Sequence, residues 1–438
     1  MQQQSLSRRD FLKTVSMAGA TLALAACTNI PAPGGSGAPS GGASAELTLW
    51  GWWDVRMAFY EEVANAFTAD NPGISITVET LPGGEIQQKL YSALAADTGP
   101  NMLKMGENFF KLKEEDLLLA FPEDVFPDDW FEETYPSVNW EPYDRHVVPT
   151  AACGTLLVYN KRMFEEAGLD PDSPPATWDA FIEAAKATTK TDSTGMIQAG
   201  FIPAGEWPGL SQIYQLGGNI VTGEGDAKQA NFESEEVVQA FQHLTDLALV
   251  HNAWDPTFPG NLESVGSGLA AMTEDQAWVI GEFAGTFADI YPDLGFAPNP
   301  TPSGNADPYL GYKSTVLSVS ALTGHEDQAG ETFRFLEYLY KDSGKEAYWG
   351  LAELISCAPV RGDLASDPRL DENPALKTVA EVIPFQKDPV APPEDMYGPW
   401  SDTVSLIVNE GQPVESALAE MNGKVQELID QGLATFLQ

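Results

Sequence analysis

The sequence is short of cysteine and of basic residues, and each shortage excludes a class of protein. Three cysteines in 438 residues are too few for a disulfide-built scaffold or a four-thiolate zinc site. Lysine and arginine total 23 against 64 acidic residues, a formal net charge of −41, so the surface cannot be basic enough to bind a nucleic acid backbone. The four histidines show no close metal-ligand spacing. We therefore expect no nucleic acid partner, no metal and no cofactor; whether the acidity reflects a high-salt habitat stays open.

Long apolar runs are also missing, apart from a modest one near the N-terminus. Basic residues around Arg8 and Arg9 precede the apolar stretch from Thr14 to Ala26, which is the order of a signal peptide and is too short to span a bilayer comfortably. The adjacent arginines, followed by Phe-Leu-Lys, resemble a twin-arginine export signal. We predict that residues 1–26 are a signal peptide and that the protein is exported.

The apolar stretch ends in Leu-Ala-Ala-Cys27, which resembles a bacterial lipobox. That resemblance implies cleavage just before Cys27 and diacylation of its thiol; the alternative is an ordinary secretory signal with an incidental cysteine. The following residues, up to position 45, are mostly Gly, Ser, Pro and Ala and cannot bury enough surface to fold. We predict a lipidated cysteine and flexible linker over 27–45, which hold the protein at the extracytoplasmic face of the membrane or in the periplasm.

The rest of the chain has the pattern of a folded α/β protein. Its length suits two domains, and its apolar content of 43% supports substantial cores. Strand patterns at 46–50, 74–78 and 102–105 alternate with helical patterns, which predicts a parallel sheet covered on both faces. A similar alternation resumes after Val147, and Thr177 is placed to begin a helix as its N-cap. Two α/β lobes are the simplest interpretation.

Several segments together carry a family resemblance. In chain order they are LTLWGWWD, NPGISITVE, TGPNMLKMGEN, LLVYNKRMFEEAGL, PPATWDAFIEAA, the Gly-Gly-Asn turn at 217–219, the run GLAAM at 268–272 with Trp278, the FAP of 296–298 and the APVR of 358–361. From Glu46 to its C-terminus the chain resembles the family 1 extracellular solute-binding proteins of ABC importers, the group that includes the maltose-binding protein. The resemblance implies a two-lobed type II periplasmic-binding-protein fold, with discontinuous lobes joined by crossover hinge segments.

The same resemblance implies how the lobes divide the sequence. We expect an N-terminal lobe of residues 46–150 and 318–356, and a C-terminal lobe of 151–317 and 357–438, with a ligand between lobes that close around it. The crossings are expected near 148–156, 311–320 and 354–361. Cys153 and Cys357 both fall on these crossings, and exported proteins keep disulfides. A bond between them and two separate thiols both remain open.

A sugar has apolar ring faces and many hydroxyls, so its site needs aromatic surfaces and side chains that donate and accept hydrogen bonds. Candidates in the N-terminal lobe follow predicted strands, because ligands of open α/β sheets lie beyond the carboxyl ends of strands. They are Trp52, Trp53 and Asp54 after the first strand, and Glu107 and Asn108 after the third.

Candidates in the second lobe are mostly aromatic. Trp278 lies six residues beyond Met272, the spacing at which the family places its principal stacking ring. Trp207, Tyr312 and Trp400 are further candidates, and core packing is the alternative role for each.

We therefore expect a monomeric substrate-binding lipoprotein without enzymatic activity, which captures a sugar or oligosaccharide and delivers it to ABC permease subunits. One alternative is an exported carbohydrate-active enzyme, since acidic pairs and tryptophans also line such sites. Another is a receptor that presents its ligand to a sensor kinase. A third keeps transport but changes the ligand to a polyamine, a glycerol phosphate or an organic acid.

Overall fold

The computed structural model describes residues 45–431 except 107–108, 137, 139, 141–142, 224–226, 343 and 388–395. The predicted signal peptide, Cys27 and all but the last residue of the predicted linker lie outside this part of the chain. Within it, no helix combines the length and apolar character that crossing a membrane requires. In the same residues, no group of three or more His, Cys, Asp or Glu side chains is placed to hold a metal ion.

Strands and helices alternate along most of the chain, which confirms the predicted α/β class. The strands are β1 Ala45–Gly51, β2 Ile74–Thr80, β3 Met102–Lys104, β4 Pro149–Asn160, β5 Lys190–Asp192, β6 Gly195–Gln198, β7 Val221–Thr222, β8 Gln229–Ala230, β9 Met272–Gln276, β10 Leu294–Ala297, β11 Gly311–Leu317, β12 Val319–Ala321, β13 Ala358–Pro359 and β14 Gln386–Lys387. The helices are α1 Asp54–Asp70, α2 Gly83–Ala95, α3 Phe109–Glu114, α4 Asp128–Thr134, α5 Lys161–Glu166, α6 Trp178–Thr188, α7 Trp207–Gln215, α8 Glu235–Leu249, α9 Asn261–Gly266, α10 Val279–Thr286, α11 Ala329–Glu337, α12 Gly344–Ile355, α13 Pro374–Val382, α14 Tyr397–Val408 and α15 Val414–Asp430.

The chain divides into two compact units, each built from separate stretches of sequence. Among the described residues, the smaller unit contains 45–128, 143–148 and 318–347, and the larger unit contains 129–142, 149–317 and 348–431.

The smaller unit is organised around a four-stranded sheet in the order β12-β3-β1-β2. Strand β1 pairs in parallel with β2 and with β3, as the strand-helix-strand pattern predicts. Leu47 and Leu49 of β1 are buried, because helices cover this sheet. The fourth strand, β12, is antiparallel to β3 and was not predicted from the sequence.

The larger unit is organised around β4, a strand of 12 residues that are all buried. Strands β9, β10, β11 and β13 pair with β4 in antiparallel register, and β14 pairs in parallel with β11. A strand buried along its whole length has no alternation of apolar and polar residues, so the sequence does not mark where it begins and ends. Thr177 caps α6 by accepting a hydrogen bond from the Ala180 backbone N–H at 3.1 Å.

A disulfide joins Cys153 to Cys357, with 4.6 Å between their Cα atoms. Cys153 lies on β4 and Cys357 precedes β13, where Ala358 pairs with Ala152. Both side chains are buried and both belong to the larger unit. The bond therefore ties two distant stretches of sequence together within that one unit.

Candidate functional site

Three aromatic rings form a stack in the larger unit. Tyr312, on β11, lies between Trp207 at the start of α7, with 5.4 Å between ring centroids, and Tyr214 further along the same helix, at 6.4 Å. Tyr312 is 2% exposed and Tyr214 is buried, whereas Trp207 is only partly buried. Trp207 is therefore the member of this stack that offers ring surface to a ligand.

The position of Tyr312 is set by a buried hydrogen-bond network around Thr155 of β4. The hydroxyl of Thr155 accepts a hydrogen bond from the Tyr312 backbone N–H at 3.2 Å and one from Asn299 Nδ2 at 2.9 Å. Gly311, with φ 154°, has no room for a side chain, because a Cβ there would lie 2.8 Å from the side chains of both Asn299 and Thr155. The stack therefore rests on a rigid polar support rather than on a loop.

Trp278 stands directly after β9, where this strand ends beside β4. The Ala277 N–H donates to the Gly154 carbonyl at 2.8 Å, which extends the pairing of the two strands and fixes the point where the chain turns into α10. Trp278 is the N-cap residue of that helix and is partly buried. Its ring is neither sealed in the core nor fully in solvent, which suits a contact residue.

Strand β9 places two carboxyl groups in the interior of the larger unit. Burial raises the pKa of Glu274 to about 8 and that of Asp275 to about 7, against the opposing effect of hydrogen bonds from Gln212 to Glu274 and from Asn261 to Asp275. The Asn261 bond measures 2.7 Å. Burial likewise raises the pKa of Glu206, which immediately precedes α7, to about 7. These groups can hold protons near neutral pH, so they can donate hydrogen bonds as well as accept them.

The smaller unit places aromatic rings at the carboxyl end of β1. Trp52 is partly buried beneath Lys104, whose Nζ lies 3.8 Å from the ring centroid. Trp53 is 40% exposed and lies 4.0 Å from the Arg56 guanidinium carbon. Trp53 also has φ 75°, a left-handed conformation that is uncommon for a residue other than glycine and is found most often at functional sites. The side chains of Lys104 and Arg56 therefore lie against two indole rings at the carboxyl end of β1.

The remaining predicted contacts lie elsewhere. Trp400 is 2% exposed and packs on Phe241, with 4.6 Å between ring centroids, so it is a core residue whose edge reaches a cavity wall. The side chain of Asp54 and the whole of Glu107 and Asn108 lie outside the described residues. The buried carboxyl groups of β9 were missed, although a run of polar residues directly after the apolar Ala270-Ala271-Met272 was a usable signal.

A family model described as bacterial extracellular solute-binding protein matches residues 50–346. Among curated proteins, the arabinooligosaccharide-binding protein of Halalkalibacterium halodurans is 24% identical over 342 residues, which cover 75% of this chain and 74% of that protein. The sn-glycerol-3-phosphate-binding periplasmic protein of Escherichia coli K12 is 25% identical over 386 residues, 79% of this chain and 84% of that protein.

The fold is also found among solved structures. The cyclic alpha-maltosyl-1,6-maltose binding protein of Arthrobacter globiformis superposes with a TM-score of 0.70 at 20% identity, over 88% of this chain and 99% of that one. At this identity the likeness concerns the fold alone.

Proposed function

This chain belongs to the bacterial extracellular solute-binding protein family, and we propose that it captures a sugar or short oligosaccharide and delivers it to an ABC importer in the membrane. The observation that carries the proposal is the group in the larger unit that combines the accessible rings of Trp207 and Trp278 with buried carboxyl groups. Indole rings stack on the apolar faces of sugars, and carboxyl groups bond their hydroxyls. A relative that covers most of this chain is an arabinooligosaccharide-binding protein, which supports a carbohydrate ligand.

The charges of the larger unit favour an uncharged sugar over a phosphate ester. Burial is the main cause of the raised pKa values of Glu274 and Asp275, and no lysine or arginine is among the causes that act on them. A phosphate brings about two negative charges and only acceptor oxygens, so it would be repelled here. We therefore do not propose glycerol phosphate, the ligand in the name of one relative, as the ligand of this chain.

We further propose that the ligand contacts Trp52 and Trp53 in the smaller unit, with Asp54, Glu107 and Asn108 as additional contacts on sequence grounds. Lys104 and Arg56 are buried and lie against these two indoles, and the exposed ring of Trp53 offers the surface on which a sugar ring packs. The protein acts as a monomer without chemical turnover in this proposal, since its relatives are binding proteins.

The predicted lipobox supports a membrane anchor at Cys27. We propose that the folded units are held at the extracytoplasmic surface by this lipid and by the linker that follows it. Replacement of Cys27 by serine is expected to move the protein from the membrane fraction to the soluble exported fraction, as measured by fractionation of a bacterial host and immunoblotting. A serine variant that stays in the membrane fraction would exclude the lipid anchor.

The binding function is tested by isothermal titration of the exported chain with a panel of arabino-, malto- and mannooligosaccharides, after a thermal-shift screen, since a ligand selective for the native state raises the unfolding temperature. We expect binding of at least one glycan, and a loss of affinity of about tenfold or more in Trp207→Ala and in Trp278→Ala, because truncation of an aromatic ring that packs on a bound partner costs about 1.4 kcal/mol or more. Leu249→Ala, at an exposed end of α8, is the matched control and should bind as the unchanged protein does.

Two results would contradict the proposal. The first is unchanged affinity in both tryptophan variants while their circular dichroism spectra remain native. The second is hydrolysis of the bound glycan, detected by chromatography of the recovered ligand, which would favour the carbohydrate-active enzyme.

A further inference from the structure

The larger unit contains a cavity of about 330 Å³, a volume at the lower end of the range typical of small-molecule sites. Three parts of the chain form its wall: the loop before α7, the segment from α8 into the following loop, and one side of α14. Its principal lining residues are Glu206, Leu244, Trp254, Trp400, Val404 and Val408. The stacked rings of Trp207 and Tyr312 are not part of this wall.

Glu206 brings an acidic group to the cavity that no cation of the described residues neutralises. It is 9% exposed, and burial raises the pKa of its carboxyl group, with its own backbone N–H as the opposing hydrogen bond. Glu206 is the N-cap residue of α7, yet its side chain makes no capping bond. The charge of Glu206 also disfavours ionisation of the nearby Asp275. The Glu206 carboxyl group therefore neither caps α7 nor forms an ion pair in the described part of the chain.

The rest of the wall is apolar and aromatic, with a second polar atom that has no partner. Trp400 Nε1 is buried and has no hydrogen-bond acceptor among the described residues. Trp254 is partly exposed and presents an indole to the cavity. Val404, Val408 and Leu244 supply the apolar contacts.

We propose that this cavity is a second binding site and that it takes a small ring carrying a primary amine. An ammonium group forms charge-assisted hydrogen bonds with a carboxylate, which are about twice as strong as neutral ones. The indole of Trp254 adds a cation–π attraction, and the ring of the ligand packs on the valine and leucine side chains.

The charge of the ligand follows from the surroundings of Glu206. An anionic ring would meet the Glu206 carboxylate with no cation of the described residues to compensate it, so it is rejected. An uncharged ring can bond Glu206, which takes up a proton near neutral pH because burial raises its pKa to about 7, but it supplies no counter-ion for the ionised form. The amine supplies that counter-ion, so it binds more tightly once Glu206 is ionised. The net charge of −41 also concentrates small cations around the protein.

The test uses three matched rings: trans-4-aminocyclohexanol, cyclohexane-1,4-diol and trans-4-hydroxycyclohexanecarboxylate. Each is titrated at pH 7.5 into the exported chain labelled with 5-fluorotryptophan, and fluorine NMR follows the resonances of Trp254 and Trp400, which are assigned with Trp→Phe variants. We expect the amine to shift both resonances and to bind at least tenfold more tightly than the diol, and the carboxylate not to bind.

Variants of the chain test whether the amine binds in this cavity and whether Glu206 causes its higher affinity. Glu206→Gln should reduce the affinity for the amine to that for the diol, whereas Glu410→Gln, which removes an exposed carboxylate beside the last lining residue of α14, should leave it unchanged. Val404→Trp fills the cavity and should abolish binding of the amine even if Glu206→Gln folds poorly. Equal affinity for amine and diol, or shifts confined to other tryptophans, would overturn the proposal. Neither result bears on sugar binding, which the oligosaccharide titrations measure separately.

Discussion

Glu274 offers a direct test of the electrostatics of the larger unit, because burial sets its pKa and Gln has the same shape. In the folded protein the pKa rises from 4.5 to about 8, whereas the unfolded chain returns it to the ordinary value. Between these two pH values the folded state holds a proton that the unfolded state has released. The stability contributed by this group is therefore fully present below about pH 4.5 and is lost as the pH rises towards 8.

The magnitude follows from the width of this interval. Each pH unit over which only the folded state is protonated lowers the free energy of unfolding by about 1.4 kcal/mol. The interval from 4.5 to about 8 corresponds to a ceiling of about 5 kcal/mol, which relaxation and water entry reduce. Glu274→Gln mimics the protonated form at every pH, so we expect it to match the unchanged protein at pH 5 and to be roughly 2–4 kcal/mol more stable at pH 8.5.

The assay is urea unfolding at pH 5, 6, 7 and 8.5, followed by tryptophan fluorescence and circular dichroism, with the transition of the larger unit analysed separately. Glu263→Gln removes an exposed carboxylate in the same unit and serves as the control for general charge effects. A stability difference between Glu274→Gln and the unchanged protein that stays constant from pH 5 to 8.5 would refute the argument, because it would show that Glu274 titrates alike in the folded and unfolded states.

Three other predictions concern the stability of the larger unit. Replacement of both Cys153 and Cys357 by serine should lower the free energy of unfolding by about 2–5 kcal/mol, and thiol titration of the unchanged chain in denaturant without reductant should detect neither cysteine. In Gly209→Ala the new Cβ would lie 2.5 Å from the Trp400 ring, so we expect a loss of about 1–3 kcal/mol in urea unfolding. Gly423→Ala, where a Cβ meets nothing within 4 Å, should instead stabilise α15 by up to about 1 kcal/mol.

The elements with a clear period were predictable from the sequence. The alternation at 46–50 and 74–78 corresponds to β1 and β2, and Thr177 caps α6 as its position predicts. Strand β12 was missed because three residues are too few to show a period, and only its pairing with β3 defines it. The π-helical turn at Tyr338–Asp342, which follows α11, is likewise a feature that residue spacing does not reveal.

The candidate site was less predictable, because the exposure of a side chain depends on segments distant in sequence. Trp207 and Trp400 are both tryptophans near a proline, and nothing local distinguishes them. The structure leaves Trp207 partly exposed, whereas α8 and α14 bring Phe241 against Trp400. The burial of Glu274 and Asp275 on β9 was also hard to predict, because Glu and Asp usually lie on the surface. These two residues are buried because β4 and α7 cover them.

The two units differ in the hydrogen-bonding character of their candidate groups, and this difference constrains the ligand. In the smaller unit the tryptophans stand beside Lys104 and Arg56, which only donate. In the larger unit Trp207 and Trp278 occur with carboxyl groups, which accept when ionised. A phosphate, which only accepts, suits the first group, and an ammonium, which only donates, suits the second. A hydroxyl group does both, so a polyhydroxylated ligand can satisfy either group. Replacement of Lys104 by methionine should therefore weaken glycan binding without creating a preference for phosphate esters. A Lys104→Met variant that bound glycans with unchanged affinity would show that Lys104 does not contribute to ligand binding.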